Sequence, residues 1–264
     1  MTISVVYNED FFASIQTGSQ LSARTIVPLV VQLIRPSSIV DVGCGTGEFL
    51  KIFQEYGMDE ILGIDGAYVE KSQLAIPQKH FMALDISKPF TIDKTYDLAV
   101  CLEVAEHLPP QSASGFIESL SHLAPIILFS AAIPHQTGAN HVNEQWLEYW
   151  VQLFRARGFE PVDALRKRIW NNRQIEFWYR QNIILFCTEQ ILASNSILEK
   201  EYKETNLNQL SIVHPELFIR ERNYFENKCR YYEASEPLTA VIKRFARRSK
   251  ALRNIYYWLR RRSL

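Results

Sequence analysis

Seven residues, Asp41-Val42-Gly43-Cys44-Gly45-Thr46-Gly47, constrain this chain more than any others. They end a run, Ser38 to Val42, that reads as a buried β-branched strand. They precede Glu48 to Tyr56, where Phe49, Leu50, Ile52 and Phe53 recur at helical spacing. Glycine at every second position permits a tight turn and lets a ligand approach the main chain closely. The N–H groups that open the following helix form a region of positive potential.

The same alternation continues downstream. Glu60 to Asp65, His80 to Leu84, Tyr96 to Leu102 and Pro125 to Ile133 read as strands. Val69 to Leu74 and Gln111 to Leu123 read as helices between them, and Gln145 to Arg157 as a helix closed by Gly158. Phe159 to Leu165 and Asn182 to Cys187 read as two late strands flanking an aromatic segment, Ile169 to Arg180. Strands alternating with helices predict a mostly parallel sheet covered on both faces. From Thr188 the chain reads as polar and helical, with breaks at Pro215 and Pro237. The expected division is a domain over 1–188 and a helical extension over 189–264.

The turn reads GxGxG, and Glu48 stands where a dinucleotide-binding GxGxxG would have its third glycine. A carboxylate there competes with a pyrophosphate for the helix N–H groups. Asp41 is placed instead to receive an ammonium group. Asp65, with Gly66 after it, ends the next strand, where a carboxylate can accept both ribose hydroxyls. Asp85, followed by Ile86, ends the third, where an acid can accept an adenine amino group. Each Asp alone also reads as a cap or turn residue. Together they fit S-adenosylmethionine, which carries an ammonium, a sulfonium and no phosphate.

This segment resembles the nucleotide-binding signature of class I methyltransferases. Tyr96-Asp97-Leu98-Ala99-Val100-Cys101-Leu102-Glu103-Val104-Ala105-Glu106-His107-Leu108 is similar to that superfamily's fourth-strand motif, close to D-x-x-x-x-x-E-V-x-E-H. The resemblance runs from about Tyr7 to Cys187. It implies a Rossmann-like seven-stranded sheet of order 3-2-1-4-5-7-6 with the last strand antiparallel. It also implies that Asp41, Gly43, Cys44, Gly45 and Gly47 line the methionine portion of S-adenosylmethionine, Asp65 and Gly66 the ribose, Asp85 and Ile86 the adenine, and that Leu102 and Glu103 lie under the methionine end. The segment before the first strand, with Tyr7, Phe11, Phe12, Ser22 and Arg24, is expected by the same resemblance to act as a lid. Phe129 to Trp146 resembles a subgroup that accompanies bacterial glycan or natural-product pathways.

Ligands of open α/β sheets sit beyond the carboxyl ends of the strands. That directs attention to Glu103, His107, His135, His141 and Glu144. His141, in a polar loop with Gly138 and Asn140, is the first candidate for a general base, because imidazole titrates near neutrality. Glu144 is placed to orient it. His107 and His135 are further candidates, and each of the four can equally cap or order its own loop. No HxxxH pair is present, and no metal is expected. Trp146, Trp150, Trp170, Trp178 and Tyr179 read either as an acceptor wall or as core.

Lys plus Arg and Asp plus Glu number 29 each. Residues 240–264 hold nine of those bases and no acid, leaving 20 bases against 29 acids in the first 239. The acidic body disfavours a nucleic-acid substrate. The basic tail, with Val241, Phe245, Leu252, Ile255, Tyr256 and Leu259 at helical spacing, suits peripheral contact with an anionic membrane surface. The four widely spaced cysteines and the absence of a signal-like N-terminus predict a cytoplasmic protein with reduced thiols. The activity expected is O-methylation of a sugar, glycan or natural-product hydroxyl. N-methylation of a small amine and a non-catalytic cofactor-binding scaffold are the alternatives. Nothing in the sequence defines the oligomeric state.

Overall fold

The computed structural model describes the backbone of residues 9–235 and the side chains of residues 18–231. Seven strands form one sheet: β1 (Ser38–Val42), β2 (Glu60–Asp65), β3 (Phe81–Ala83), β4 (Leu98–Leu102), β5 (Ile126–Ser130), β6 (Phe159–Val162) and β7 (Ile184–Thr188). Their order is β3-β2-β1-β4-β5-β7-β6. The first five are mutually parallel. β7 enters between β5 and β6 and runs antiparallel to both. This is the order and direction that the resemblance implied.

Both faces of the sheet are buried, so the strands are apolar throughout and their side chains sort by period two. Val40, Val42, Ala99, Cys101, Ile127, Phe129, Ile184 and Phe186 face one layer. It is completed by Phe116, Ile117 and Leu120 of α3 (Ala113–Leu123) and by Trp150 and Phe154 of α4 (Leu147–Arg155). Ile39, Ile61, Leu98, Val100, Ile126, Leu128, Leu185 and Cys187 face the other. There they meet Ile26, Val27 and Val30 of α1 (Glu9–Ile34) and Phe49, Ile52 and Phe53 of α2 (Glu48–Glu55). Trp150 is therefore core, 5.5 Å between ring centres from Phe129, whereas Trp146 is exposed.

Several boundaries depart from the sequence reading. Val69–Leu74 is not an α-helix but holds a single 3-10 turn at Lys71–Gln73. The Ala75 N–H donates to the Thr46 carbonyl at 2.8 Å and draws this stretch onto the glycine turn, and Pro77 ends it. The β5 region stops at Ser130, and Ala131–Ile133 continue as a buried loop. The run after Val162 turns at once into α5 (Arg166–Ile169). The aromatic segment contains α6 (Phe177–Asn182). The N-terminal segment is helical from Glu9, and Ala23 to Leu33 contribute to the core. Tyr7 and the side chains of Phe11 and Phe12 lie outside the described residues.

The chain forms two compact units that divide between His214 and Pro215. α7 (Glu189–Ser194) and α8 (Ser196–Glu204) belong to the first, where Leu192 and Leu198 enter the core and the Asn195 side chain caps α8. The second begins with α9 (Pro215–Ser235), which carries Arg222–Glu226 and Arg230–Glu226 pairs at helical spacing. The basic residues 240–264 and Pro237 lie outside the described residues. No described helix is long and apolar enough to cross a membrane.

Candidate active site

The turn after β1 is held by the strand beside it. Gly43 and Cys44 donate their N–H groups to the Ile64 carbonyl at 2.7 and 3.2 Å. Gly43 and Gly47 have φ of 80° and 87°, in the left-handed region that favours glycine. A Cβ at Gly43 would stand 2.3 Å from the Val104 side chain, so the turn and the loop after β4 touch there.

Asp41 lies buried near the end of β1 with its backbone paired in the sheet, and among the described residues no side-chain hydrogen bond offsets the burial of its carboxyl. Burial, and then the Asp65 carboxylate, push its carboxyl up to about 8. A buried acid so placed is completed by a cation, which is what the methionine ammonium offers. Asp65 is buried at the end of β2 and accepts from the Gly45 N–H at 2.7 Å, the Gly66 N–H at 2.6 Å and the Tyr68 hydroxyl at 2.5 Å. Its carboxyl is raised by burial and lowered by those three donors. The phenol occupies the carboxylate oxygen that the resemblance assigns to a ribose hydroxyl. Together the glycine turn and these two acids fit the amino-acid and ribose parts of S-adenosylmethionine.

The adenine residues are placed less simply. Asp85 is exposed and engages Lys88 at 2.8 Å and the Ser87 hydroxyl at 2.5 Å, and Lys88 leads in drawing its carboxyl down to about 2. Ile86 is buried in the core.

Leu102 ends β4, and Glu103 follows with φ of 55°. The Glu103 N–H donates to the Ser130 carbonyl and hydroxyl at 2.9 and 3.0 Å. Its carboxylate accepts from Gln136 at 2.8 Å and Asn182 at 3.0 Å. Gln181 bonds both Gln136 and Asn182, and accepts the His214 N–H at 2.7 Å. Burial raises the Glu103 carboxyl against these donors. Gln136, Gln181 and Asn182 escaped the sequence reading. Their one signal was a polar pair, Gln181-Asn182, directly before a buried strand.

The loop after β5 is stitched to the loop after β4. The Val142 and Asn143 N–H groups donate to the Glu106 carbonyl at 2.9 and 3.0 Å. This brings the His107 and His141 rings together edge to face, 4.8 Å between centres. His141 Nδ1 lies 2.8 Å from Glu144 Oε1, while Glu144 Oε2 accepts the His135 N–H at 2.8 Å. Glu144 thus orients His141, and His135 contributes its backbone while the residue as a whole is exposed. Burial leads in lowering His107 to about 4, and the nearby His141 adds to it. Glu106 is fully buried, with the Glu103 carboxyl and the backbone of Glu106 and Ala132 beside its carboxyl and no well-aligned hydrogen bond to either oxygen. Burial, and then the Glu103 charge, raise its carboxyl well above the usual range. Glu106, His107 and His141 each offer a ligand-capable atom, all within 4.8 Å of one another. Sequence spacing concealed this group, because His141 comes from a different loop.

A sheet of this order, with a GxGxG turn after β1 and paired acids at the ends of β1 and β2, defines a class I S-adenosylmethionine-dependent methyltransferase. A family model described as a methyltransferase domain matches residues 19–172, more than half of the chain, and the chain belongs to that family. Among solved structures, DesVI of Streptomyces venezuelae is similar at a TM-score of 0.51 and 14% identity, over 68% of this chain and 96% of that one. Magnesium protoporphyrin IX methyltransferase of Synechocystis, solved with bound S-adenosylhomocysteine, matches at 0.49 and 18%, over 70% and 90%. CalS10, an amino pentose methyltransferase from Micromonospora echinaspora, matches at 0.49 and 17%, over 69% and 97%. A search of curated protein sequences finds no match.

Proposed function

We propose that this enzyme methylates a hydroxyl of a small molecule, sugar or glycan. The observation that carries the reading is the His141–Glu144 pair beyond the ends of β4 and β5. S-adenosylmethionine supplies a methyl group already activated by its sulfonium, so the protein's remaining tasks are positioning and removal of the acceptor's proton. Asp41 holds the ammonium, and Asp65 receives the ribose once the Tyr68 phenol gives way. With Nδ1–H donated to Glu144, His141 keeps the Nε2 lone pair to activate a hydroxyl. An amine acceptor needs no such base once deprotonated, which favours the hydroxyl.

The test is incubation of the purified protein with methyl-labelled S-adenosylmethionine and fractionated cell extract. Label in the glycan or small-molecule fraction, lost in His141→Ala, supports the reading. Label confined to RNA or protein, or transfer to an amine unaffected by that substitution, overturns it.

A further inference from the structure

We propose that Glu106, His107 and His141 form a binding site for one divalent transition-metal ion beside the acceptor. The inference rests on the hydroxyl-methylation reading and deepens it.

Two imidazoles and one carboxylate make a donor set suited to ions such as Zn2+ or Mn2+. The three side chains already bring one such atom each within 4.8 Å of one another. Bonds of about 2.0–2.2 Å then require only a modest inward rotation of side chains. Both rings are held from behind, as metal-ligating histidines are. Glu144 takes His141 Nδ1, and the backbone carbonyls of Asn140 and Ala139 lie beside the His107 ring. Gly138 packs against the His141 ring, where a Cβ would stand 2.2 Å from Nε2, so only glycine leaves room for the ring here.

Glu106 supplies the independent observation. Its carboxyl is fully buried, lies within reach of the two histidines, and has no cationic partner, only the nearby Glu103 carboxyl and the backbone of Glu106 and Ala132. A native fold pairs such a group or uses it. Nothing in the cofactor-binding turn accounts for it, and a cation completes it. An ion here binds the acceptor oxygen at an open coordination position and weakens its O–H bond, with the proton leaving to solvent. The oxygen's electron pair then forms the bond to the methyl carbon as the carbon–sulfur bond breaks, leaving a neutral sulfide. His141 then activates the hydroxyl as a ligand of the ion, with Glu144 orienting it.

The experiment is a Mn2+ titration of the chelator-treated full chain, followed by the electron paramagnetic resonance signal of free Mn2+. S-adenosylmethionine binding is measured separately by calorimetry. One ion bound per chain is expected for the native protein. Glu106→Gln and His141→Ala are expected to abolish it, and Glu144→Gln to weaken it by roughly tenfold or more. Glu106→Gln exchanges a buried carboxyl held toward its neutral form for an amide of the same shape, so its thermal midpoint should stay close to the native one. Absence of binding at millimolar Mn2+, or binding unchanged in Glu106→Gln, overturns the proposal. If S-adenosylmethionine binds and Mn2+ does not, the metal site alone falls. If S-adenosylmethionine fails to bind, the activity reading falls with it.

Discussion

Asp41 carries the clearest titration consequence of any single side chain. Its folded-state value of about 8 lies above the roughly 3.9 of a free aspartate. The folded protein therefore binds more protons between those values, and this group's contribution to stability is full below about pH 4 and lost as pH rises through 8. Asp41→Asn should flatten that slope in thermal melts across the interval. The methionine ammonium favours the ionised carboxylate, so binding below pH 8 should expel a proton. Calorimetry in buffers of different ionisation enthalpy should read close to one proton, and affinity should rise by up to about tenfold per pH unit toward 8. Tyr68 has the opposite character. Its hydroxyl occupies an Asp65 oxygen that the proposed ribose contact would use. Tyr68→Phe removes that competitor and should tighten cofactor binding by about two- to tenfold, the worth of one exchanged hydrogen bond.

Among the elements, the turn between β1 and α2 is the least tolerant of change. Gly43→Ala combines a left-handed backbone with a Cβ 2.3 Å from Val104. It should abolish cofactor binding and lower the melting temperature. In the core, Phe186 of β7 stacks on Phe154 at 3.9 Å and meets Phe129 edge to face. Phe186→Ala should cost about 3–5 kcal/mol in chemical denaturation. The strands were legible in the sequence because a sheet buried on both faces demands continuous apolar runs, and Ile126 to Phe129 supplies one. The turn was legible because its glycines and the acid before it are contiguous in sequence, and the structure gives Gly43 and Gly47 the positive φ that glycine favours. Val69–Leu74 was misread because its fate rests on a distant bond to Thr46, which local periodicity does not register. The Glu103 network was hidden for the same reason: Gln136 and the Gln181-Asn182 pair come from separate segments and acquire meaning only when the sheet closes. Asp85 matched a motif position, yet its neighbours Ser87 and Lys88 claim its side chain.

For the molecule as a whole, the division between His214 and Pro215 decides what can be removed. A chain ending at Thr188 loses Leu192 and Leu198 from the core, the Glu201 partner of Arg168, and the Leu210 carbonyl that accepts from buried Arg166 at 2.6 Å. One ending at His214 keeps all of these. The shorter form should fail to give a cooperative melt, while the longer one should melt within a few degrees of the full chain. The strand order carries a consequence for how the protein is made. β5 is translated long before β7, which supplies the pairing for its outer edge from Ile126 to Phe129. Throughout that interval a nascent chain on the ribosome presents an apolar strand with unpaired amides, the kind of edge that recruits other chains. Dependence on chaperones in the cell is thus set by how quickly the ribosome reaches Ile184, rather than by the strength of the finished sheet.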